Sequence, residues 1–236
     1  LQVPSSVSQL VASSLSWLGV RPADRKVTGL LFTNMFLAGG VLTLFRFCAY
    51  ALFMERFGAA QLAVVWILLA VIGTGITIAI NTFTRHVSPR AYLLTIHAVI
   101  LAIMLMTWVL LGTIQHDWLI FALPLLFELI YMLFSLQFIA QVTRLMNVRQ
   151  TKRLAGLARS GEFLAEIVAA SVALLLLTII EVHDLVIVAA FITLGVIGTV
   201  QLAANSFGDA LLSTTEDAAR EEGPDVRLLA LLRLPY

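Results

Sequence analysis

Residues 163–180, FLAEIVAASVALLLLTII, and residues 185–205, LVIVAAFITLGVIGTVQLAAN, are separated only by the acidic turn Glu181-Val182-His183-Asp184. At 1.5 Å of rise per residue, each run is about as long as a helix must be to cross a hydrocarbon core roughly 30 Å thick. The second run carries no charged residue. A helix on the surface of a soluble domain needs a polar face along its length, and this run has none to offer. The pair therefore reads as two transmembrane helices joined by a tight turn.

Four similar runs lie upstream, at about 27–53, 60–83, 91–114 and 118–142. Glu55, Arg56 and Gly58 end the first, and Arg85, His86, Pro89 and Arg90 close the second. Gln115, His116 and Asp117 make a short turn between the third and the fourth. The expected fold is all-α: a polytopic membrane protein with a six-helix transmembrane domain over 27–205. No alternating ten-residue pattern of the kind a membrane β-barrel requires is present. The second run has Gly73 and Gly75 at its middle, where small residues let a neighbouring backbone approach.

Composition agrees with this reading. Hydrophobic residues make up 60% of the 236 and charged residues only 12%, against roughly 25% charged in a soluble domain. The net charge of +1 gives no electrostatic footprint for nucleic acid. Cys48 is the sole cysteine, and no Cys/His spacing suits a metal, so neither metal nor cofactor is expected. No Walker sequence, HExxH or GxSxG occurs, and the reading is not of an enzyme.

The segments flanking the bundle differ in character. In 1–26, Val7, Leu10, Val11, Leu15 and Leu18 recur at helical spacing beside Trp17, as in an amphipathic helix lying at the interface, followed by a polar hinge. Residues 206–236 read as a cytoplasmic linker, and the chain stops at Arg233-Leu234-Pro235-Tyr236 just after a short apolar run, so a continuation is expected. The stretch 143–161 carries Arg144, Arg149, Lys152, Arg153 and Arg159 and reads as the longest polar connection, a basic loop. Thirteen of the fifteen Lys and Arg fall on one side of the six-span topology, only Arg56 falls on the other, and Arg46 lies between. The positive-inside rule then puts both termini in the cytoplasm, in a cell inner or plasma membrane.

Few residues within the runs can carry chemistry. Arg46 sits deep in the first helix, where a cation costs about 2.5–3.5 kcal/mol on insertion scales and needs a partner or a wet cavity. Glu128, midway along the fourth, is expected either as its counter-ion or as a carboxylate that couples to substrate. Gln137 and Gln141 are read as extending that same polar face. Glu162 and Glu166 lie one turn apart at the expected start of the fifth helix, Glu162 as an electrostatic cap and Glu166 as a candidate substrate-binding residue beside Arg46 and Glu128, with Arg153 and Arg159 as candidate partners. His97 is an accessory candidate, which as a lone histidine among apolar residues also fits plain packing.

Three stretches resemble the N-terminal half of the ATP/ADP translocase family, including bacterial relatives fused to HEAT-repeat or cyclic-nucleotide-binding domains. They are Leu18-Gly19-Val20-Arg21-Pro22 leading towards Arg46, with Ala51-Leu52-Phe53 and Phe57-Gly58 beyond it; Asn147-Val148-Arg149-Gln150-Thr151-Lys152-Arg153-Leu154; and Ser160-Gly161-Glu162. The resemblance implies a major-facilitator-like half bundle, a second six-helix half or fused cytoplasmic domains as partners, and an anionic nucleotide substrate facing Arg46 and Glu128. This chain departs from the family in having only Lys26 and Lys152, both at helix edges, where the family's exchangers carry lysines within the membrane. The expected function is transport of an anionic solute such as ATP or ADP by alternating access. The alternative is a non-transporting anchor, regulatory module or structural subunit.

Overall fold

A computed structural model describes residues 20–84, 89–114 and 116–207, and their side chains outside 79–91. The interfacial helix expected over residues 1–19 and nearly all of the linker expected from 206 onward lie outside the described residues. Every regular element described is helical. The long helices are α1 (Arg25–Phe57), α2 (Leu62–Thr84), α3 (Pro89–Thr113), α4 (Asp117–Leu145), α5 (Val148–Leu176) and α6 (Leu185–Ser206). Single 3-10 turns at Pro22–Asp24, Ala59–Gln61 and Val182–Asp184 lead into α1, α2 and α6. Five helical segments are long and apolar enough to cross a membrane: Pro22–Phe57, Ala59–Ile78, Tyr92–Thr113, Asp117–Leu145 and Val182–Ser206.

Helix α5 corrects the sequence reading. Of the basic stretch expected as a loop over 143–161, residues 143–145 end α4 and all from Val148 on are α5, continuous with the apolar part, which ends at Leu176 rather than Ile180. Its start is set by a reciprocal cap, in which Gln150 N–H donates to the Asn147 side chain at 2.9 Å and Asn147 N–H to the Gln150 side chain at 2.9 Å. Charge does not prevent a helix; it prevents burial in hydrocarbon. The first turns of α5 carry the charge and only its latter half, from Phe163 on, is apolar, so α5 is not among the five segments long and apolar enough to cross a membrane. Asp24, buried just before α1, accepts from Gln150 at 2.7 Å and pairs with Arg153, tying the starts of α1 and α5 together.

The core forms around α1, which packs most heavily on α5, α6 and α4. Side chains face inward from α5 at Leu154, Ala158, Gly161, Ala165, Ala169 and Ala173, small residues that let the two helices nearly touch. A Cβ at Gly39 of α1 would lie 2.8 Å from the Glu162 carbonyl oxygen, and one at Gly161 would overlap the Phe32 carbonyl oxygen. The other face of α5 is apolar and open, with Phe163, Ile167, Leu174 and Leu175 exposed. Helix α2 is peripheral: only 6% of its apolar window is buried. Helix α1 stops at Gly58, whose φ of 72° is open to glycine at no steric cost.

Candidate functional site

Chain direction puts the basic ends of all six helices together, and contacts across the bundle agree. Arg56 near the end of α1 meets Asp117 at the start of α4 at 2.7 Å, and Asn34 near the start of α1 donates to Thr199 near the end of α6 at 2.7 Å. From the opposite, weakly basic ends, Arg46, Glu128 and Glu166 each lie about 15–17 Å inward at helical rise, close to half the thickness of a hydrocarbon core.

From this depth towards the basic ends, the side chains form a ring over three helices, linked partly by contacts and partly by single helical turns. Arg46 of α1 pairs with Glu166 of α5 at 3.2 Å. One turn along α5, Glu162 pairs with Arg159 at 3.2 Å, and Arg159 reaches the Tyr131 hydroxyl of α4 at 3.4 Å while lying 5.8 Å above the Phe138 ring. Close to one turn from Tyr131, Glu128 accepts a hydrogen bond from the Tyr50 hydroxyl at 3.0 Å, and Tyr50 stands one turn from Arg46. Two guanidiniums, three carboxylates and two phenols are thus linked through contacts and helical turns, with the carboxylates of Glu162 and Glu166 one turn apart on α5.

Several expectations change here. Glu128 is not the counter-ion of Arg46, because Glu166 holds that position and the Glu128 carboxylate is held by Tyr50. Glu162 does not cap the start of its helix: with α5 beginning at Val148 it lies far inside, where Arg159 neutralises it. Arg153 is taken up by Asp24 at the basic end, and Arg149 and Lys152 are exposed there, so the basic segment takes no part in the ring. Gln137 and Gln141 do not extend the Glu128 face. At 100° per residue Gln137 lies about 180° from Glu128, and both glutamines are buried in the core while Glu128 lines an open cavity. His97 is fully buried, donates Nδ1–H to the Leu93 carbonyl at 2.7 Å and stands edge-on to Phe134.

The ring is open on one side. The side chains of Arg46 and Glu166 keep 43% and 38% of their surface exposed, although they lie about 15–17 Å in from the ends of their helices. Next to Glu128 an open groove of about 570 Å³ between α2 and α4 is lined by Glu128, Tyr131, Ser135, Thr74 and Thr77 on a largely apolar floor that includes Leu69, Ile78 and Met132. Sequence reasoning does not single out Tyr50 or Tyr131, because tyrosines within apolar runs look like packing. Arg159 enters it only as a loop residue and a candidate partner; the helical periodicity of 159, 162 and 166 is the signal that places it in the ring.

The architecture defines a class: an all-helical, multi-pass membrane protein. No protein-family model, curated protein or solved structure matches the chain.

Proposed function

We propose that this chain is the N-terminal, major-facilitator-like half of a membrane transporter that moves an anionic solute, with ATP, ADP or another nucleotide as the first candidates. In this reading it resides in a cell inner or plasma membrane with both ends cytoplasmic, α5 crosses as the fifth of six spans, and a second six-helix half covers the open side of the ring. The observation that carries the proposal is the exposure of Arg46 and Glu166 at mid-depth. Charges there are too costly to face lipid, so they face water, substrate or another polar protein surface. Transporters that work by rocking two bundles place their substrate in such a position, between halves and near the midplane.

The ring sets a condition on binding. Three carboxylates outnumber two guanidiniums, so an anion gains a site by taking the place of Glu166 on Arg46, whose planar donors suit phosphate or carboxylate. Glu166 then serves as the resident stand-in for the solute. The same pairing favours one second reading, a non-transporting anchor or assembly module in which the ring docks a neighbouring subunit and stays dry.

The test is uptake of labelled ATP or ADP into proteoliposomes holding the full-length protein, wild type against Arg46→Ala, with equal insertion verified. Saturable exchange lost in the variant supports the carrier. Folded protein that exchanges neither these nucleotides nor simple organic anions leaves the anchoring module in its place.

A further inference from the structure

The core-facing stripe of α4 runs Leu119, Leu123, Phe127, Ile130, Phe134 and then, towards the basic end, Gln137 and Gln141. The last two positions have the burial of the others and none of their chemistry. Gln137 is 0% and Gln141 1% exposed, and neither amide has a hydrogen-bonding partner among the described residues. The same holds for Nε2 of His97, Oδ1 of Asn34 and the hydroxyl of Thr28, all buried.

Apart from the buried hydroxyl of Thr43, about 27 Å along α1, these groups fall on two levels. Counted from the basic ends of their helices, Thr28 and Gln141 lie about 4–6 Å in, and Asn34, His97 and Gln137 about 12–14 Å in, at helical rise. Asn34 is bonded to Thr199, which belongs to the same level on α6, and His97 touches Phe134, one turn from Gln137. A polar group removed from water without a replacement partner costs about 1–3 kcal/mol in protein interiors, and native interiors rarely leave several together.

We infer that the basic third of the bundle contains a site for internal water, a hydrated column entering from the basic-side solution past Thr28 and Gln141 and reaching Asn34, Gln137 and His97. The amides supply donors and acceptors in both directions, which suits a chain of water rather than a fixed ion of one sign. The imidazole stands at its inner end. Because Nδ1 donates to the Leu93 carbonyl, the neutral ring presents Nε2 as an acceptor, and the column gives that nitrogen a route for proton exchange with the solution. Glu128 of the ionic ring lies about 180° from Gln137 around α4, whereas Phe134 borders both the column and a small cavity lined by Arg159 and Glu162; the column does not rest on the transport reading.

Radiolytic hydroxyl-radical footprinting of the wild-type protein in membranes tests it, since radicals formed from internal water oxidise the side chains beside that water. Phe134 and Phe45 are the same residue type with 2% and 0% exposure, and only Phe134 is in ring contact with His97 and one turn from Gln137. The expected result is oxidation of Phe134 several-fold faster than Phe45. Equal protection of both overturns the inference. The Gln137→Leu/Gln141→Leu protein, where it folds, is expected to lose the excess oxidation at Phe134; excess that persists unchanged in it removes the glutamines from the column and overturns the site as drawn. Equal protection in the wild-type protein overturns the inference even where that variant does not fold, and Gln141→Leu alone then serves to assign an excess at Phe134 to the column rather than to the cavity beside Arg159 and Glu162.

Discussion

Arg46 lies among Leu44, Phe45, Phe47 and Cys48, a setting in which a guanidinium has no inexpensive place unless an anion meets it. Glu166 supplies that anion, and Tyr50 holds Glu128 beside it. Glu166→Gln, which keeps the shape and removes the charge, is expected to lower the KM for an anionic solute because Arg46 no longer has a resident competitor. Transport kinetics in proteoliposomes check it, and a raised KM or lost transport would instead make Glu166 part of the binding site. In the melting of purified protein the same change is expected to cost only about 1 kcal/mol, since both side chains are part-exposed and the pair is screened. That Arg46 needs a partner is legible in the sequence. Which partner it takes is not, because the choice between Glu128 and Glu166 depends on the rotation of α5 against α1.

At the scale of elements, apolar length alone locates α1, α2, α3, α4 and α6 to within a few residues at their ends. Helix α5 is legible only in its apolar latter half. Hydropathy reports where a helix can sit in lipid, not where it begins, and the cap that marks its start consists of two ordinary residues, Asn147 and Gln150. Replacing the cap by Asn147→Ala is expected to destabilise the protein by about 1 kcal/mol, read as a lower thermal midpoint. The α1–α5 contact gives a sharper expectation. Gly161→Leu places a side chain where the α1 backbone already stands and is expected to cost about 1–3 kcal/mol or to prevent folding. Gly156→Leu on the same helix meets open space and is expected to be neutral or slightly stabilising, because leucine is the better helix former. Thermal melts of the two variants side by side would expose an error in the packing if both behaved alike.

For the whole molecule, composition and the one-sided distribution of Lys and Arg make a multi-pass helical protein legible. The ring is not legible as a unit, because its seven members come from three helices and several of them resemble ordinary packing or topology residues. What the assembled bundle adds is an asymmetry of surface. Ile167 is 69% exposed among the apolar residues of α5, whereas Ser135 lines the cavity beside Glu128 and Tyr131. Both belong to the outer surface of the six helices, yet lipid is expected against one and water against the other.

That difference provides the most direct test of the central claim, that the charged face is wet. Cys48 is buried and is the chain's sole cysteine, so a Cys48→Ala protein gives a clean background for single substitutions. Ser135→Cys and Ile167→Cys would each be exposed, in sealed vesicles, to a charged thiol reagent that cannot enter lipid. Rapid modification is expected at 135 and none at 167. Folded protein in which 135 is as inert as 167 would contradict it and leave a dry ionic cluster that holds subunits together.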